Sequence, residues 1–244
     1  MKAMIFAAGM GTRLKPITDT MPKALVPVNG KPLLQILIDR LVAAGFDEAV
    51  VNVHHFSEQI VKYLQDNPQQ LTTQISDESD LLLETGGGIL HAMRFFNDGQ
   101  PFLVHNVDIL HNVDLGAFYR ENAHTADAVL LVSERDTQRY LLFDDDNRLM
   151  GWTNIKTDEV KSPYENLDVT RLHKYAFAGI HIFNPKLFSL MYTWPQKFSV
   201  IDFYLSICKR WTVKGVVKTD LRMVDVGKLD TLAKAEAFAK SLNF

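Results

Sequence analysis

A short apolar run near the N-terminus leads directly into a loop with two glycines. The stretch reads Met4-Ile5-Phe6-Ala7-Ala8-Gly9-Met10-Gly11-Thr12-Arg13-Leu14-Lys15-Pro16. Its apolar part predicts a buried strand. The glycines permit a positive φ and a close approach of the backbone, and successive N–H groups in such a loop can form an anion-binding nest. Thr12 adds a hydroxyl group and Arg13 and Lys15 add positive charge, so the loop is predicted to bind a phosphate group.

Two well-known phosphate loops do not fit this stretch. The P-loop pattern Gly-x-x-x-x-Gly-Lys-Ser/Thr is absent, and the dinucleotide pattern Gly-x-Gly-x-x-Gly has Leu14 in place of its third glycine. Pro16 also prevents a long helix from starting directly after the loop. A structural turn stays an open alternative, because Gly-x-Gly alone is weak evidence of function. The neighbouring threonine and basic side chains favour the anion site.

The composition is typical of a globular protein: of 244 residues, 47% are hydrophobic and 23% are charged. The net charge of −3 argues against a basic surface for nucleic acid or anionic membrane. The single cysteine, Cys208, excludes an intramolecular disulfide, and its apolar surroundings predict a buried thiol. No run approaches the roughly 18 apolar residues of a membrane span. We expect a cytoplasmic protein with no nucleic-acid or membrane partner.

Strand and helix patterns alternate in the first half of the chain, which predicts a parallel sheet covered by helices on both faces. One of the expected helices runs from Gly88 to Phe96. The second half is less regular: residues 141–152 are interpreted as a hairpin with an acidic turn, and residues 154–174 as a long loop or lid. Because we find neither a repeat nor a linker, we expect a single domain over residues 1–244.

A second segment holds one lysine between two prolines, Pro22-Lys23-Ala24-Leu25-Val26-Pro27. A short loop between prolines restricts the lysine to one place. Taken alone, a surface lysine is the simpler interpretation. Following Ala-Ala-Gly-x-Gly-Thr-Arg-x-x-Pro at this distance, however, the Pro-Lys pair resembles the signature of the sugar-1-phosphate nucleotidyltransferases.

Four further segments extend the resemblance over nearly the whole chain. They are Leu83-Glu84-Thr85-Gly86-Gly87-Gly88, Phe102-Leu103-Val104-His105-Asn106-Val107-Asp108, Phe177-Ala178-Gly179-Ile180-His181-Ile182-Phe183 and Asp225-Val226-Gly227-Lys228-Leu229. In order, they resemble the family's base-recognition loop, the strand that ends in a metal-binding aspartate, a strand beside the sugar, and the second metal aspartate. The base loop is most similar to that of the N-acetylmuramate-1-phosphate uridylyltransferases, with mannose-1-phosphate guanylyltransferases as related members.

The resemblance implies a Rossmann-like α/β fold with a mixed, mostly parallel central sheet. A nucleotide-binding half is expected over residues 1–135, and a less regular sugar-binding half with the C-terminal helix over residues 136–244. The implied reaction transfers a nucleotidyl group from a nucleoside triphosphate, UTP before GTP, to a sugar 1-phosphate and releases pyrophosphate. Mg²⁺ is the implied cofactor, and the oligomeric state, monomer or dimer, is left open. Transfer from CTP to phosphocholine and a non-catalytic nucleotide-sensing module are the alternatives.

The resemblance also assigns roles to individual residues. Arg13 and Lys23 are the predicted catalytic groups, because positive charge stabilises the transferred phosphate and the departing pyrophosphate. The predicted nucleotide-binding residues are Ala7, Ala8, Gly9, Gly11, Thr12, Arg13, Lys23, Glu78, Gly86 and Gly87. The predicted metal ligands are Asp108 and Asp225. The predicted sugar-side residues are Asn106, Asp108 and Gly179, with Trp152, Lys174 and Asp202 as further candidates.

Three positions in these segments have competing interpretations. Glu78 is either a base contact or a solvated surface charge. Val107 stands where many family members have glycine, and valine strongly disfavours a positive φ. If the position needs a positive φ, Asp108 would be displaced; if it does not, Val107 affects only the space near the sugar. The pair His54 and His55 is interpreted as structural, because adjacent side chains on an extended chain point to opposite faces.

Overall fold

The computed structural model describes residues 1–242; residues 243 and 244, which end the expected domain, lie outside the described residues. The strands are β1 (Lys2–Phe6), β2 (Pro27–Val28), β3 (Lys31–Pro32), β4 (Glu48–Val53), β5 (Thr72–Asp77), β6 (Phe102–Asn106), β7 (Ile109–His111), β8 (Ala128–Ser133), β9 (Arg139–Phe143), β10 (Leu149–Asn154), β11 (Glu159–Lys161), β12 (His173–Phe183), β13 (Val213–Val217) and β14 (Met223–Asp225). The α-helices are α1 (Leu33–Ala43), α2 (Ser57–Asp66), α3 (Glu84–His91), α4 (Leu115–Asn122), α5 (Phe188–Met191), α6 (Val200–Ile207) and α7 (Leu229–Ser241).

The chain divides into two compact units. Unit 1 comprises Met1–Leu83, Phe102–Arg120 and the part from Leu221 onward, and unit 2 comprises Glu84–Pro101 and Glu121–Asp220. Both units are therefore assembled from separate pieces of the chain. This division does not follow the boundary expected near residue 135.

Unit 1 is built on a parallel sheet with the strand order β6-β1-β4-β5. Its strands are rich in buried alanine and valine, for example Ala49, Val50 and Val51 on β4, as is typical of parallel strands covered on both faces. α1 ends before Gly45, whose φ of +85° is the left-handed conformation that commonly terminates a helix. Since parallel strands share a direction, the segments that follow β1, β4, β5 and β6 all leave from one edge of the sheet. Ligands bind at this edge in open α/β sheets.

Unit 2 is built mainly on antiparallel strands, in the order β11-β10-β9-β12-β8-β13. β13 is the exception, since it pairs with β8 in parallel. The predicted hairpin of residues 141–152 is confirmed as β9 and β10. The register of β12 against β8 shifts between Phe177 and His181, and Gly179, in the middle of this bulge, has a φ of +74°. The predicted α/β class with a mixed sheet is confirmed, and the parallel strands are concentrated in unit 1.

Two predictions about unit 2 differ from the structure in part. Residues 154–174 are not a continuous loop, because Glu159–Lys161 forms the strand β11, and the Thr153 hydroxyl donates to the Glu159 carbonyl at 3.1 Å. All three residues of β11 are exposed, so apolar alternation gave no signal. The helix expected over Gly88 to Phe96 is confirmed in part, because α3 begins four residues earlier, at Glu84, and ends at His91, where a 3-10 turn over Ala92–Phe95 follows. Three consecutive glycines disfavour a helix, but here they are buried, and the Gly86 N–H donates to the Phe198 carbonyl at 2.8 Å.

Candidate active site

The loop after β1 needs glycine at position 11. Gly11 has a φ of +63°, and a Cβ there would lie 2.8 Å from Cγ2 of Thr18. The Thr18 hydroxyl donates to the Gly11 carbonyl at 2.8 Å, and the Leu14 N–H donates to the same carbonyl at 2.8 Å. Any larger residue would therefore combine backbone strain with a steric clash. The backbone conformation of the loop therefore requires glycine at the second position of the Gly9-Met10-Gly11 motif.

The amide groups of the loop fall into two sets. Those of Ala7 and Ala8 donate to the side-chain oxygen of Asn52, at 2.7 and 3.3 Å. For residues 9–13, no carbonyl or side chain within residues 1–242 accepts a hydrogen bond from the backbone N–H groups. A row of unengaged amides next to the exposed Arg13 has the arrangement expected of the predicted anion-binding nest.

Lys23 lies between two aspartates. Its side chain is only 10% exposed, and its amino group forms an ion pair with Asp108 and lies 3.9 Å from Oδ1 of Asp225. A 3-10 turn over Lys23–Leu25 holds the backbone, with the Val26 N–H donating to the Lys23 carbonyl. The interpretation of Lys23 as an ordinary surface lysine is therefore wrong. A buried cation with two acidic neighbours is suited to stabilising charge on a phosphate group.

The two aspartates are held together by a short antiparallel ladder. β7 pairs with β14, with Asp225 opposite Ile109, and the Val226 N–H donates to the Asp108 carbonyl at 2.8 Å. Both carboxylates approach the same lysine amino group. Two carboxylate groups are a fitting donor set for a hard divalent cation that takes its other ligands from phosphate oxygens and water. No cluster of three or more His, Cys, Asp or Glu side chains suited to a metal occurs in residues 1–242.

Val107 does not displace Asp108. It is not among the residues of the described chain that have a positive φ, it is buried at 4% exposure, and its N–H donates to the Phe6 carbonyl at 3.1 Å. This position therefore accepts a valine without backbone strain. Asn106, the last residue of β6, is paired with Phe6 and is half-buried.

Two buried histidines hold the strands on either side of Asp108. The Val113 N–H donates to Nδ1 of His111, and Nε2 of the same ring lies 2.8 Å from Nε2 of His105 and 2.8 Å from Nη1 of Arg40. The other ring nitrogen of His105 donates to the Asn106 carbonyl at 2.7 Å. Burial lowers the pKa of His105 to about 3, so this ring is neutral. The pair fixes the turn that presents Asp108.

Gly227 allows Arg13 and Asp225 to approach each other. A Cβ at position 227 would lie 2.6 Å from Oδ1 of Asp225 and 3.0 Å from Nη2 of Arg13. The glycine of the Asp-Val-Gly segment therefore leaves space that both side chains use. Arg13, Lys23, Asp108 and Asp225, all in unit 1, are brought together as the sequence predicted.

Glu78 is not a solvated surface charge. It is 3% exposed, and its two carboxylate oxygens accept hydrogen bonds from the side-chain amide of Asn52 and from the Leu83 N–H. Sequence reasoning missed Asn52, although it is a lone polar residue in the apolar run Ala49-Val50-Val51-Asn52-Val53. His54, interpreted as structural, contacts the Glu78 carbonyl through Nδ1 at 2.6 Å.

The remaining nucleotide candidates lie in unit 2. Gly86 and Gly87 are buried in the first turn of α3, where both N–H groups donate to the Phe198 carbonyl, at 2.8 and 3.3 Å. The structure therefore assigns their amides to packing within this unit.

Unit 2 also contains a cleft of about 560 Å³. Its floor is one face of the sheet, because Trp152 is opposite both Leu141 and Lys161, and Asn154 is opposite both Arg139 and Glu159. The wall includes Ser199, Ile201 and Asp202 at the start of α6. Trp152 and Asp202, two sugar-side candidates, line the cleft, whereas Lys174 does not.

The charges in this cleft are unevenly paired. Lys161 lies 3.4 Å from Asp202 and 3.9 Å from Glu159, so both acids are next to the same lysine. Arg135 donates to the Phe177 carbonyl at 3.0 Å. No carboxylate within residues 1–242 lies at ion-pair distance from the exposed Arg139. The cleft therefore combines aromatic surface with a cation that an anionic ligand could approach.

Together, the open α/β sheet, the glycine loop at its carboxyl edge and the Lys-Asp-Asp group are the features expected of a protein that acts on phosphate groups. Residues 2–241 match the family described as Nucleotidyl transferase. The chain belongs to this family, and the predicted enzyme class is confirmed.

The named relatives narrow this class. The chain is 47% identical to N-acetylmuramate alpha-1-phosphate uridylyltransferase of Caulobacter vibrioides over 109 residues, 43% of this chain and 45% of that protein. It is 35% identical to the protein of the same name in Neisseria meningitidis serogroup B over 189 residues, 77% of each chain. The first match therefore spans less than half of its relative. Both relatives are named for N-acetylmuramate alpha-1-phosphate.

Solved structures share the fold. A putative glucose-1-phosphate thymidylyltransferase from Bacillus anthracis superposes with a TM-score of 0.82 at 18% identity, covering 100% of this chain and 97% of that one. At this identity the likeness shows the fold alone. Within residues 1–242, no helix is long and apolar enough to cross a membrane.

Gly227→Ala tests the packing of Asp225 against Arg13. The added methyl group would push the Asp225 carboxylate away, so we expect the affinity for Mn²⁺, used as a probe of the aspartate pair, to fall about tenfold. Electron paramagnetic resonance of free Mn²⁺ measures this affinity. Leu229→Ala, an exposed position two residues further on, is the control and should bind Mn²⁺ normally. Unchanged binding in Gly227→Ala would show that Asp225 is not a ligand.

Proposed function

We propose that the protein transfers a uridylyl group from UTP to N-acetylmuramate 1-phosphate and releases pyrophosphate. The observation that supports a transfer reaction most directly is the position of Lys23 between Asp108 and Asp225. The names of the relatives in Caulobacter and Neisseria support this choice of substrates. GTP and mannose 1-phosphate are the next candidates, because a mannose-1-phosphate guanylyltransferase subunit of Dictyostelium discoideum is 29% identical.

In this proposal, different residues of unit 1 bind different parts of the triphosphate. The amides of residues 9–13 hold phosphate oxygens, and the Thr12 hydroxyl adds a further contact. Arg13 neutralises the departing pyrophosphate. Lys23 stabilises the charge that develops on the α-phosphate as the sugar phosphate attacks. A phosphate oxygen is already an adequate nucleophile, so catalysis consists of positioning and charge neutralisation, without a covalent enzyme intermediate.

Asp108 and Asp225 would hold Mg²⁺ in this proposal. When bound, the ion supplies positive charge to the triphosphate oxygens and orients them. Lys23 contacts the same two carboxylates, so the lysine and the ion compete for them in the absence of nucleotide. Binding of the triphosphate gives the lysine a second anionic partner.

The sugar is proposed to lie in the unit 2 cleft, where Trp152 and Phe177 supply aromatic surface and Asp202 a hydrogen-bond acceptor. N-acetylmuramate carries a carboxylate that N-acetylglucosamine lacks, and Arg139 is placed to pair with it. Asn106 and Gly179 stay sugar-side candidates of the proposal.

For the base, the candidates are Gly86, Gly87 and Glu78. Glu78 contributes through the contacts that its carboxylate makes with Asn52 and Leu83. The product would be an activated sugar for cell-envelope synthesis, made in the cytoplasm where nucleoside triphosphates are available.

A substrate panel tests the proposed reaction. Four nucleoside triphosphates are combined with N-acetylmuramate, N-acetylglucosamine, mannose and glucose 1-phosphates and with phosphocholine, and Mg²⁺-dependent pyrophosphate release is measured. We expect UTP with N-acetylmuramate 1-phosphate to give the highest kcat/KM. Pyrophosphate release with phosphocholine as the only productive acceptor would contradict the proposal. The absence of pyrophosphate release with every substrate pair, from a protein that binds nucleotide, would also contradict it.

Lys23→Ala separates catalysis from metal binding. We expect turnover to fall at least about 100-fold, because the variant lacks a cation placed to stabilise the transition state. In the same variant, Mn²⁺ should bind more tightly without nucleotide, because the competing ammonium group is gone. Lys31→Ala, which removes a lysine paired with Asp39 outside the site, is the control. Near-normal turnover with a large loss of stability would assign Lys23 a structural role instead.

Arg139→Gln tests recognition of the acidic sugar. With UTP fixed, kcat/KM for N-acetylmuramate 1-phosphate should fall about tenfold, the typical loss of one charge-assisted hydrogen bond. The value for N-acetylglucosamine 1-phosphate, which differs only in lacking the lactyl group, should not change. Arg171→Gln removes an exposed arginine outside the cleft and serves as control. Equal losses for both sugars would refute the pairing of Arg139 with the carboxylate.

A further inference from the structure

Asn52 occupies a central position at the carboxyl edge of the unit 1 sheet. It is the fifth of the six residues of β4, and β4 lies between β1 and β5. In the register of the sheet, Asn52 is opposite Phe6 on one side and Ser76 on the other. The phosphate loop therefore starts next to Asn52 on one side, and Glu78 follows the strand on its other side. The side chain is 2% exposed.

The backbone fixes the orientation of the Asn52 amide. Two N–H groups, those of Ala7 and Ala8, point at the same side-chain atom, at 2.7 and 3.3 Å. An N–H group can only donate, so this atom must be the oxygen. The NH₂ group is therefore directed at Glu78, where it donates to Oε1 at 2.8 Å.

The same reasoning explains why residue 78 is a glutamate. Oε1 receives the Asn52 amide, and Oε2 receives the Leu83 N–H at 3.3 Å. Both neighbours are donors, so both atoms at residue 78 must be acceptors, which a carboxylate provides and a glutamine does not. The backbone on either side is also held, since the Glu78 N–H donates to the Val53 carbonyl at 2.8 Å. The chain continues from Leu83 directly into Glu84-Thr85-Gly86-Gly87.

We propose that Asn52 and Glu78 are positioning residues that hold the start of the phosphate loop and the segment Glu78–Leu83 in one hydrogen-bonded unit. The positions of the two groups also determine the charge next to the phosphate loop. The neutral amide of Asn52 contacts the loop, and the Glu78 carboxylate is one side chain further away. This inference rests on the proposed binding of a triphosphate by that loop. Its hydrogen-bonding half can be tested without any substrate.

Exchanging the amide and the carboxylate between positions 52 and 78 tests both the hydrogen bonding and the effect of charge on the phosphate loop. In Asn52→Asp, a carboxylate faces the Glu78 carboxylate; in Glu78→Gln, an NH₂ group faces either the Asn52 NH₂ or the Leu83 N–H. In the double variant, the new carboxylate at position 52 accepts from the loop amides and from the new amide at position 78, whose oxygen accepts from the Leu83 N–H. These four hydrogen bonds return and the net charge is unchanged, but the negative charge now lies beneath the phosphate loop.

We expect each single variant to lower the unfolding temperature and the double variant to recover most of this loss. The KM for UTP, or the Kd of Mg²⁺–UTP, should stay raised in the double variant by about tenfold, since two like charges repel across a short, partly buried distance. Asn67→Asp, the same substitution at an exposed position of unit 1, is the control.

Three results would overturn the inference. Single variants with wild-type stability would show that the hydrogen bonds hold nothing in place. A double variant no more stable than the sum of the single losses would show that the two side chains do not act together. A double variant that recovers both stability and the wild-type affinity for UTP would refute the argument from charge. A wild-type protein that binds no triphosphate would instead refute the proposed function, while the stability results would still decide the hydrogen-bonding half.

Discussion

Parallel pairing of β1 with β4 and with β6 is the constraint on which the site in unit 1 depends. The pairing sends the chain out of the sheet at the same edge after each strand, so segments far apart in sequence begin next to one another. The phosphate loop follows β1, Asn52 ends β4, Glu78 follows β5 and Asp108 follows β6. Asn52 lies within its strand, and Glu78 and Asp108 lie within two residues of the strands that precede them. The ladder between β7 and β14 then brings Asp225 to the same place.

Charge balance around Lys23 gives this arrangement its chemistry. One ammonium group and two carboxylates leave the group with a net negative charge, which suits a divalent cation, while the neighbouring loop offers amide groups and Arg13 to phosphate oxygens. Oppositely charged ligands can therefore bind side by side. His105 beneath Asp108 and Asn52 beneath the loop are neutral and add no charge to this balance, and their polar atoms are satisfied by backbone groups and by neighbouring side chains.

The sequence predicted the parts of the site that depend on short segments. Gly11 is needed for local reasons, a positive φ and the nearby Thr18, and Gly-x-Gly after an apolar strand is readable in the sequence. Lys23 and the two aspartates were recognised through the spacing of motifs across the chain, and without that resemblance each had a simple structural interpretation. β11 was missed because an exposed three-residue strand carries no hydrophobic pattern. α3 was missed in part because its stability comes from the packing of its glycines, which outweighs their poor helix propensity.

The amino-acid sequence by itself predicts the order of strands and helices in unit 1 and the glycine loop after β1. Both depend on strand patterning and glycine conformation, which act over a few neighbouring residues. The hydrogen-bond partners of the buried polar groups cannot be predicted from the sequence in this way. Glu78 was interpreted either as a base contact or as a solvated charge, and the structure shows it buried and bonded to Asn52, which lies 26 residues away and meets it only because β4 and β5 pair in one particular register. Asn52 also holds the phosphate loop that follows β1. Strand register sets which donor faces which acceptor, and that information appears only when the sheet has formed.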